Sequence, residues 1–526
     1  MYGIPDDGSR YSPKGNTHDH GIASVSNGVC RSIELERYSR VKHDNRLGRF
    51  INQLLPLICG GQNASVTSVN SFLGSGFESH DGSFRLKGRN MRISDISIST
   101  DCEINGQSVD AHIMCHEFAH IASCLPFIGS FDENSLLFHF DGGAFNSSSS
   151  VWAWESGKPR LIEASWDKLK DVSNNFNVNP LSRRILGLTV EDHLSMPGKL
   201  MGYASYGHRN DELEKWLRSN HWFLDVDDTD ELLQEIGYFF GKPMEKFDAR
   251  CQEFMDIAYA IQHGFEESVL QYLRDIKERT GLNRLFYAGG SALNINANSR
   301  IFNELGFDRF FIPPCCSDCG LAVGAAAWSY YLENGSLPVH PPFLGICEAP
   351  SSSGSISGLS DSLADGKCIG IVSGRSESGP RALGHRSIIA RPDDVDLRVK
   401  VSEIMKRREW YRPVAPILAD VIAREILEDY RDGDELARYM LSSYHVKPQY
   451  VPKLSGVIHV DGSVRAEVIS KDFGALYDVL MDLHDRYGIF GLLLTSFNSR
   501  GEPIVETLDD AQRTASRIAL DGLVIL

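Results

Sequence analysis

His116 and His120 stand four residues apart in CHEFAH, so a helix over residues 110–123 projects both imidazoles from one face, within reach of one metal ion. Leu136 to Phe140 is an apolar run of strand length that stops on Asp141-Gly142-Gly143. That places a carboxylate at a strand's carboxyl end, where bare backbone can approach a phosphate. Asp318 precedes a glycine and a small-residue helix, Leu321 to Leu332, and is a fourth candidate ligand. Two histidines and two aspartates leave octahedral positions open to phosphate oxygens, a set that suits Fe(II) or Mn(II) better than structural zinc. Histidines at this spacing also occur on solvated or satisfied helix faces, so the ligand reading needs support from the rest of the chain.

Nucleotide contacts have further candidates. Gly142 and Gly143 follow Asp141, and Gly289-Gly290 joins a short strand, RLFYA, to the helix-like NINANSRIFNEL that includes Asn294. A glycine pair at such a junction leaves N–H groups free for a ring or phosphate. Residues 196–207, MPGKLMGYASYG, place glycines and Lys199 between helical stretches and read as a tight loop or a helix break.

These residues need strands and helices to hold them. Met1 to Ile4 offers a short strand, and His18-Asp19-His20 leads into β-capable runs separated by Asn27-Gly28, which reads as a hairpin with Asp19 at its mouth. Glu34 to His43, ELERYSRVKH, reads as a charged, solvated strand end or loop. RISDISIST at 91–99 alternates like a strand, and the mixture of strands, turns and helices indicates an α/β domain closing on a cleft. Residues 333–366 are rich in Pro, Gly and Ser and mark a boundary, giving units of 1–345 and 346–526. The second unit shows short β-like runs at KCIGIV, RSIIA, SGVIHV and IFGLLLT.

A chain of 526 residues with 42% hydrophobic and 23% charged content supports two or three domains. Its net charge of −17 argues against a nucleic-acid partner, and no apolar run reaches membrane-spanning length. Eleven scattered cysteines and no secretory-type segment point to reduced thiols in the cytoplasm. Cys315-Cys316-Ser317-Asp318-Cys319 holds one C-x-x-C without the second pair of a zinc ribbon, so it reads as local packing.

Taken together and in order, HD with LERYSRVKH, CHEFAH with HFDGG, PGKLMGYASYG, GGSALNINAN, SDCGLAVGAA, GRSESGPRALGHRS, KRREWYRPVAP, HVDGSVRAE and TSFNSRGEPIVET resemble the O-carbamoyltransferases of antibiotic biosynthesis and nodulation-factor decoration. The resemblance implies an N-terminal actin-like ATPase (ASKHA-type) domain and a C-terminal YrdC-like α/β domain. The second would turn carbamoyl phosphate and ATP into carbamoyl-adenylate, and the first would pass the carbamoyl group to a hydroxyl of a small acceptor. It implies His116, His120, Asp141 and Asp318 as iron ligands, with magnesium able to accompany the nucleotide. It assigns carbamoyl phosphate to Arg381, Lys406, Arg412, Ser496 and Asn498, with Arg465 a weaker member because Ser463 and Glu467 flank it where the family more often has Thr and Gln.

The residue chemistry fits those roles. A compact dianion calls for arginine forks, a lysine and neutral hydroxyl or amide groups at the carbamoyl end. A hydroxyl attacking the carbamoyl carbon must lose its proton, which gives Asp19 the role of general base or acceptor guide, with His18 and His20 as rivals. Asp19 as a plain hairpin cap is the structural alternative. Two other functions compete: a threonylcarbamoyl-tRNA-type synthase, against which the acidic charge counts, and a nucleotide-binding relative that has lost chemistry. The acceptor is not legible, and a symmetric homodimer is the default assembly.

Overall fold

A computed structural model describes residues 1, 18–59, 65–69, 76–89, 91–143, 146–172, 179–189, 194–347, 349 and 355–526. The strand expected at Met1 to Ile4 falls, apart from Met1, outside the described residues; Met1 itself donates through its amino group to the Thr67 carbonyl at 2.7 Å.

The mixed α/β class expected from the sequence is the one found. The N-terminal half contains two five-stranded sheets. One runs in the order Val66–Val69, Gln107–Met114, Ser97–Ile104, Phe84–Leu86, Phe77–Glu78, and the other Lys158–Ser165, Ser149–Glu155, Ser135–Phe140, Arg284–Ala288, Arg309–Phe311. Every residue of Ser135–Phe140 is buried, which explains its unbroken apolar character, because strands covered on both faces lose the alternation of half-exposed ones. The small-residue helix Leu321–Asn334 packs on the helix His116–Ala122, and a Cβ at Gly324 would meet the Ala119 carbonyl at 1.9 Å. Close approach of these two helices thus depends on glycine.

The C-terminal half is built on a six-stranded mixed sheet ordered Glu467–Ile469, Ala415–Ala419, Leu492–Ser496, Arg386–Ala390, Ile369–Val372, Gly522–Ile525. Arg381, Lys406 and Asn498 lie in the segments that adjoin Arg386–Ala390, Ala415–Ala419 and Leu492–Ser496 at one end of these strands. Among the described residues no helix is long and apolar enough to cross a membrane.

Several boundaries depart from expectation. The hairpin is present as Gly21–Ser26 and Val29–Glu34, with Asn27 and Gly28 at φ 49° and 78°, but the returning run turns into a helix, Leu35–Ser39. The helix expected over 110–123 begins only at His116, because residues up to Met114 continue the edge of a strand whose partner begins at Ser97 rather than 91. Met196–Ala204, expected as a loop, is a helix: its glycines face Pro413 and open space and do not break it. SGVIHV forms no strand, since Pro448–Lys453 takes up a 3₁₀ turn just before it. The Pro-rich boundary stretch is partly docked, with the Leu337 N–H on Gly129 and the His340 N–H on Pro126.

Candidate active site

The imidazoles of His116 and His120 face each other with their Nε2 atoms 3.2 Å apart. Asp318 Oδ1 lies 3.4 Å from His120 Nε2 and 3.8 Å from His116 Nε2, and Asp141 Oδ2 lies 3.6 Å from His120 Nε2. The four residues come from a helix start, a strand end and a 3₁₀ turn, and the structure brings them together. His120 Nδ1 sits 3.1 Å from the Cys316 carbonyl. An N–H there fixes the tautomer that turns the Nε2 lone pair inward, the usual support for a metal-bound histidine. Burial, with repulsion from His120, pushes His116 down to about 4, so it is a neutral imidazole at neutral pH and a competent ligand. Burial also opposes charge on His120, but Asp318 and Asp141 outweigh it and draw its pKa upward. Two imidazoles and two carboxylates converging in this way fit a divalent first-row ion.

Asp141 is positioned by backbone: its Oδ2 accepts the Gly290 N–H at 2.5 Å. Gly289 has φ +109°, and a Cβ there would meet the Phe140 carbonyl at 2.1 Å. The two glycine pairs therefore meet at the metal-candidate cluster. Asn294, in contrast, spends its amide on the fold, since its oxygen caps the helix at the Ala297 N–H and faces Gln262. Lys199 is buried and pairs with Glu409 at 3.0 Å, which ties it to the C-terminal half.

Asp19 bridges two histidines: His18 Nδ1 lies 2.9 Å from one carboxylate oxygen and His43 Nδ1 2.8 Å from the other. His18 then presents Nε2 to Asp318 at 4.0 Å. Asp19 and His43 both occupy the left-handed region, φ 54° and 55°, where a non-glycine residue is uncommon and often marks a functional constraint. Burial works against the Asp19 charge, but hydrogen bonds from His18 and His43 prevail and hold its pKa well below the usual carboxylate range. His20 is fully buried and pushed down to about 4 by that burial.

On the C-terminal half, Arg381, Lys406, Arg408, Arg412 and Arg465 form one cluster of cations. Burial first, and mutual repulsion second, lower Lys406 well below its ordinary value and bring Arg408 down to about 9 and Arg381 to about 10. Arg465 is depressed for the same reasons. The Nε atoms of Arg381 and Arg465 are buried and unpartnered. Lys406 Nζ donates to Asn498 Oδ1 at 2.6 Å and Ser496 Oγ at 3.1 Å, while the Asn498 amide nitrogen is taken by the Glu502 carbonyl. Asn498 therefore orients the lysine, and Ser496 is also reached by Arg408 at 3.3 Å.

Four residues of this arrangement escaped the sequence reading. His139 is buried, stacks on His120 at 5.2 Å and shares a potential metal group with His120 and Asp141; its spacing of two from Asp141 along a strand was the available signal. Arg408 lies in the quoted KRRE run. Lys42 and His43 lie in the run read as solvated, yet the Lys42 ammonium feels both Asp19 and Arg412 and so stands between the two clusters.

Comparison with known proteins places both halves of the chain in one family. Residues 95–327 match the family model described as carbamoyltransferase N-terminus, and residues 360–526 match carbamoyltransferase C-terminus. Nodulation protein NolNO of Sinorhizobium fredii is 30% identical over 97% of this chain and 78% of its own length. Nodulation protein NolO of Bradyrhizobium diazoefficiens is 31% identical over 78% of each chain. A crystal structure of full-length HypF in its phosphate- and nucleotide-bound form, 17% identical, covers 34% of this chain and 22% of that one at a TM-score of 0.25. Both halves of the chain, with their order preserved, belong to the carbamoyltransferase family of enzymes.

Proposed function

We propose that the enzyme is an ATP-dependent O-carbamoyltransferase acting in two stages: residues 346–526 hydrolyse carbamoyl phosphate to carbamate and phosphate and join the carbamate to ATP as carbamoyl-adenylate with release of pyrophosphate, and residues 1–345 transfer the carbamoyl group to a hydroxyl of a small natural product with AMP as the leaving group. The observation that carries this reading is the group of five basic side chains, four guanidiniums and the buried amine of Lys406, in which burial and then repulsion within the group lower Lys406, Arg408, Arg381 and Arg465. Such a cluster is costly unless an anion completes it, and a compact dianion is the complement. Arg381, Arg408, Arg412 and Arg465 would grip the phosphate, while Ser496 and the lysine held by Asn498 address the carbamoyl end.

His116, His120, Asp141 and Asp318, with His139 beside them, would hold a divalent ion such as Fe(II). When bound, the ion supplies charge to neutralise and orient phosphate oxygens. The Asp141-Gly142-Gly143 turn and the Gly289-Gly290 junction would cradle the nucleotide, with Lys199 set back behind Glu409. Asp19 holds the imidazole of His18 toward this cluster, and the pair would orient the acceptor hydroxyl.

The test is product formation. Purified enzyme with carbamoyl phosphate, ATP and a panel of hydroxylated natural products should release pyrophosphate and give an acceptor heavier by one carbamoyl group; pyrophosphate without any carbamoylated acceptor across the panel counts against the transfer stage. Asp19→Asn, which keeps size but removes the charge that orients His18, should leave adenylate formation intact and lower acceptor carbamoylation by about 100-fold. Near wild-type transfer by this variant would make Asp19 a structural cap.

A further inference from the structure

The short helix Leu35–Ser39 and its flanks lie in the N-terminal half, yet three of their side chains grip the two loops of the C-terminal half that carry the anion site. Glu34 Oε1 accepts the Gly379 N–H at 2.7 Å, and Arg37 Nη2 donates to the Gly379 carbonyl at 2.6 Å. Glu34 and the buried Arg37 are themselves paired at 3.0 Å, so one ion pair clamps both polar groups of a single residue. That residue stands two before Arg381. Its neighbour Ser378 is fixed on the same side, with Oγ 3.0 Å from Ser32 Oγ and its N–H on the Pro342 carbonyl. Gly379 has φ +104°, and a Cβ there would meet the Pro314 carbonyl at 2.2 Å, so the loop has no room to slide.

Arg40 makes the second grip. Its Nη1 and Nη2 donate to the carbonyls of Ile504 and Pro503 at 2.6 and 3.0 Å. This segment follows the turn in which the Glu502 carbonyl holds Asn498, which in turn holds Lys406 and Ser496. One helix thus touches the Arg381 loop at one end and the Ser496–Asn498 loop at the other. Two of the fork's nitrogens are thus directed at another unit's backbone while its Nε lies 3.7 Å from the Asp510 carboxylate, so the side chain is held at this junction by several contacts at once.

We infer that Glu34, Arg37 and Arg40 are positioning residues that set the separation between Arg381 and the Lys406–Ser496–Asn498 group, so that the N-terminal half shapes the carbamoyl phosphate site of the C-terminal half. The inference rests on that site taking carbamoyl phosphate. None of the three residues needs to touch the substrate.

The full chain is titrated with carbamoyl phosphate by calorimetry, and steady-state kinetics are followed in the same preparations, for wild type and for Arg381→Ala, Glu34→Gln, Arg37→Lys and Arg40→Lys. Displacement by an ångström or less should weaken carbamoyl phosphate binding and raise its KM by about 10- to 100-fold in the three helix variants. The KM for ATP and the metal content should stay at wild-type values, which a general loss of structure would not allow. Arg40 is partly exposed at the rim and its lysine variant keeps charge and stem, so it decides the matter if Glu34→Gln does not fold. Helix variants that melt with wild type and bind carbamoyl phosphate normally, while Arg381→Ala does not, overturn the positioning role alone. Normal binding by Arg381→Ala overturns the anion-site reading, and this inference falls with it.

Discussion

Lys406→Ala should abolish turnover with carbamoyl phosphate while leaving transfer from supplied carbamoyl-adenylate close to wild type. The amine is buried among Arg408, Arg412 and Lys42, and burial together with their repulsion pushes its pKa well below that of an exposed lysine. A dianion opposes that repulsion and raises the lysine's pKa on binding. Where the pH lies between the lowered pKa of the free enzyme and the higher one of the complex, binding takes up a proton, and affinity falls as pH rises through that window. Calorimetry in buffers of different ionisation enthalpy measures the proton uptake directly. Removing one partner from a buried charge pair costs about 2–5 kcal/mol, roughly 30- to 4,000-fold in binding. Arg408→Ala should behave alike, because it shares Ser496 with Lys406. Equal loss with carbamoyl phosphate and with carbamoyl-adenylate would contradict the division into two stages, and binding without proton uptake would contradict the state assigned to the lysine.

The convergence of His116, His120, Asp141 and Asp318 was legible in the sequence because three short-range signals coincide: a helical four-residue spacing, an apolar run ending on Asp-Gly-Gly, and an aspartate at the head of a small-residue helix. One of them survived an error in its surroundings. The helix carrying His116 starts later than its pattern suggested, but the spacing of His116 and His120 lies wholly inside it. The run Glu34 to His43 failed for a different reason. Alternating charge normally indicates solvent, and only tertiary contacts reveal that Arg37 and Arg40 are directed into another unit's loops and that His43 closes on Asp19. Long-range partners separated by more than three hundred positions leave no local periodicity. Asn294 shows the converse, since a glycine-rich junction suggested ligand contact where the amide serves as a helix cap.

Asp318→Asn should strip the metal and eliminate carbamoyl transfer while the chain keeps its fold. The substitution is nearly isosteric, so the packing of the turn Asp318–Gly320 on the helix behind it is retained, and a Cβ at Gly320 remains the tighter constraint there, 1.9 Å from the Cys315 carbonyl. What disappears is the negative charge facing three imidazoles, with oxygens 3.4 Å from His120, 3.8 Å from His116 and 4.0 Å from His18. Despite burial, those histidines hold the Asp318 pKa well below the carboxylate range, which keeps it an anionic donor at neutral pH. A neutral amide in its place is a weaker ligand for a hard divalent ion, and loss of an ion that orients phosphate should cost about 10³-fold in turnover. Elemental analysis after anaerobic reconstitution with Fe(II) gives the readout, with thermal melting as the control for folding. Wild type should carry close to one ion per chain and Asp318→Asn almost none, at a similar melting temperature. Equal metal content in the two proteins, or a fully active metal-free wild type, would remove Asp318 from the ligand set and return the His116–His120 pair to the role of a buried helix face.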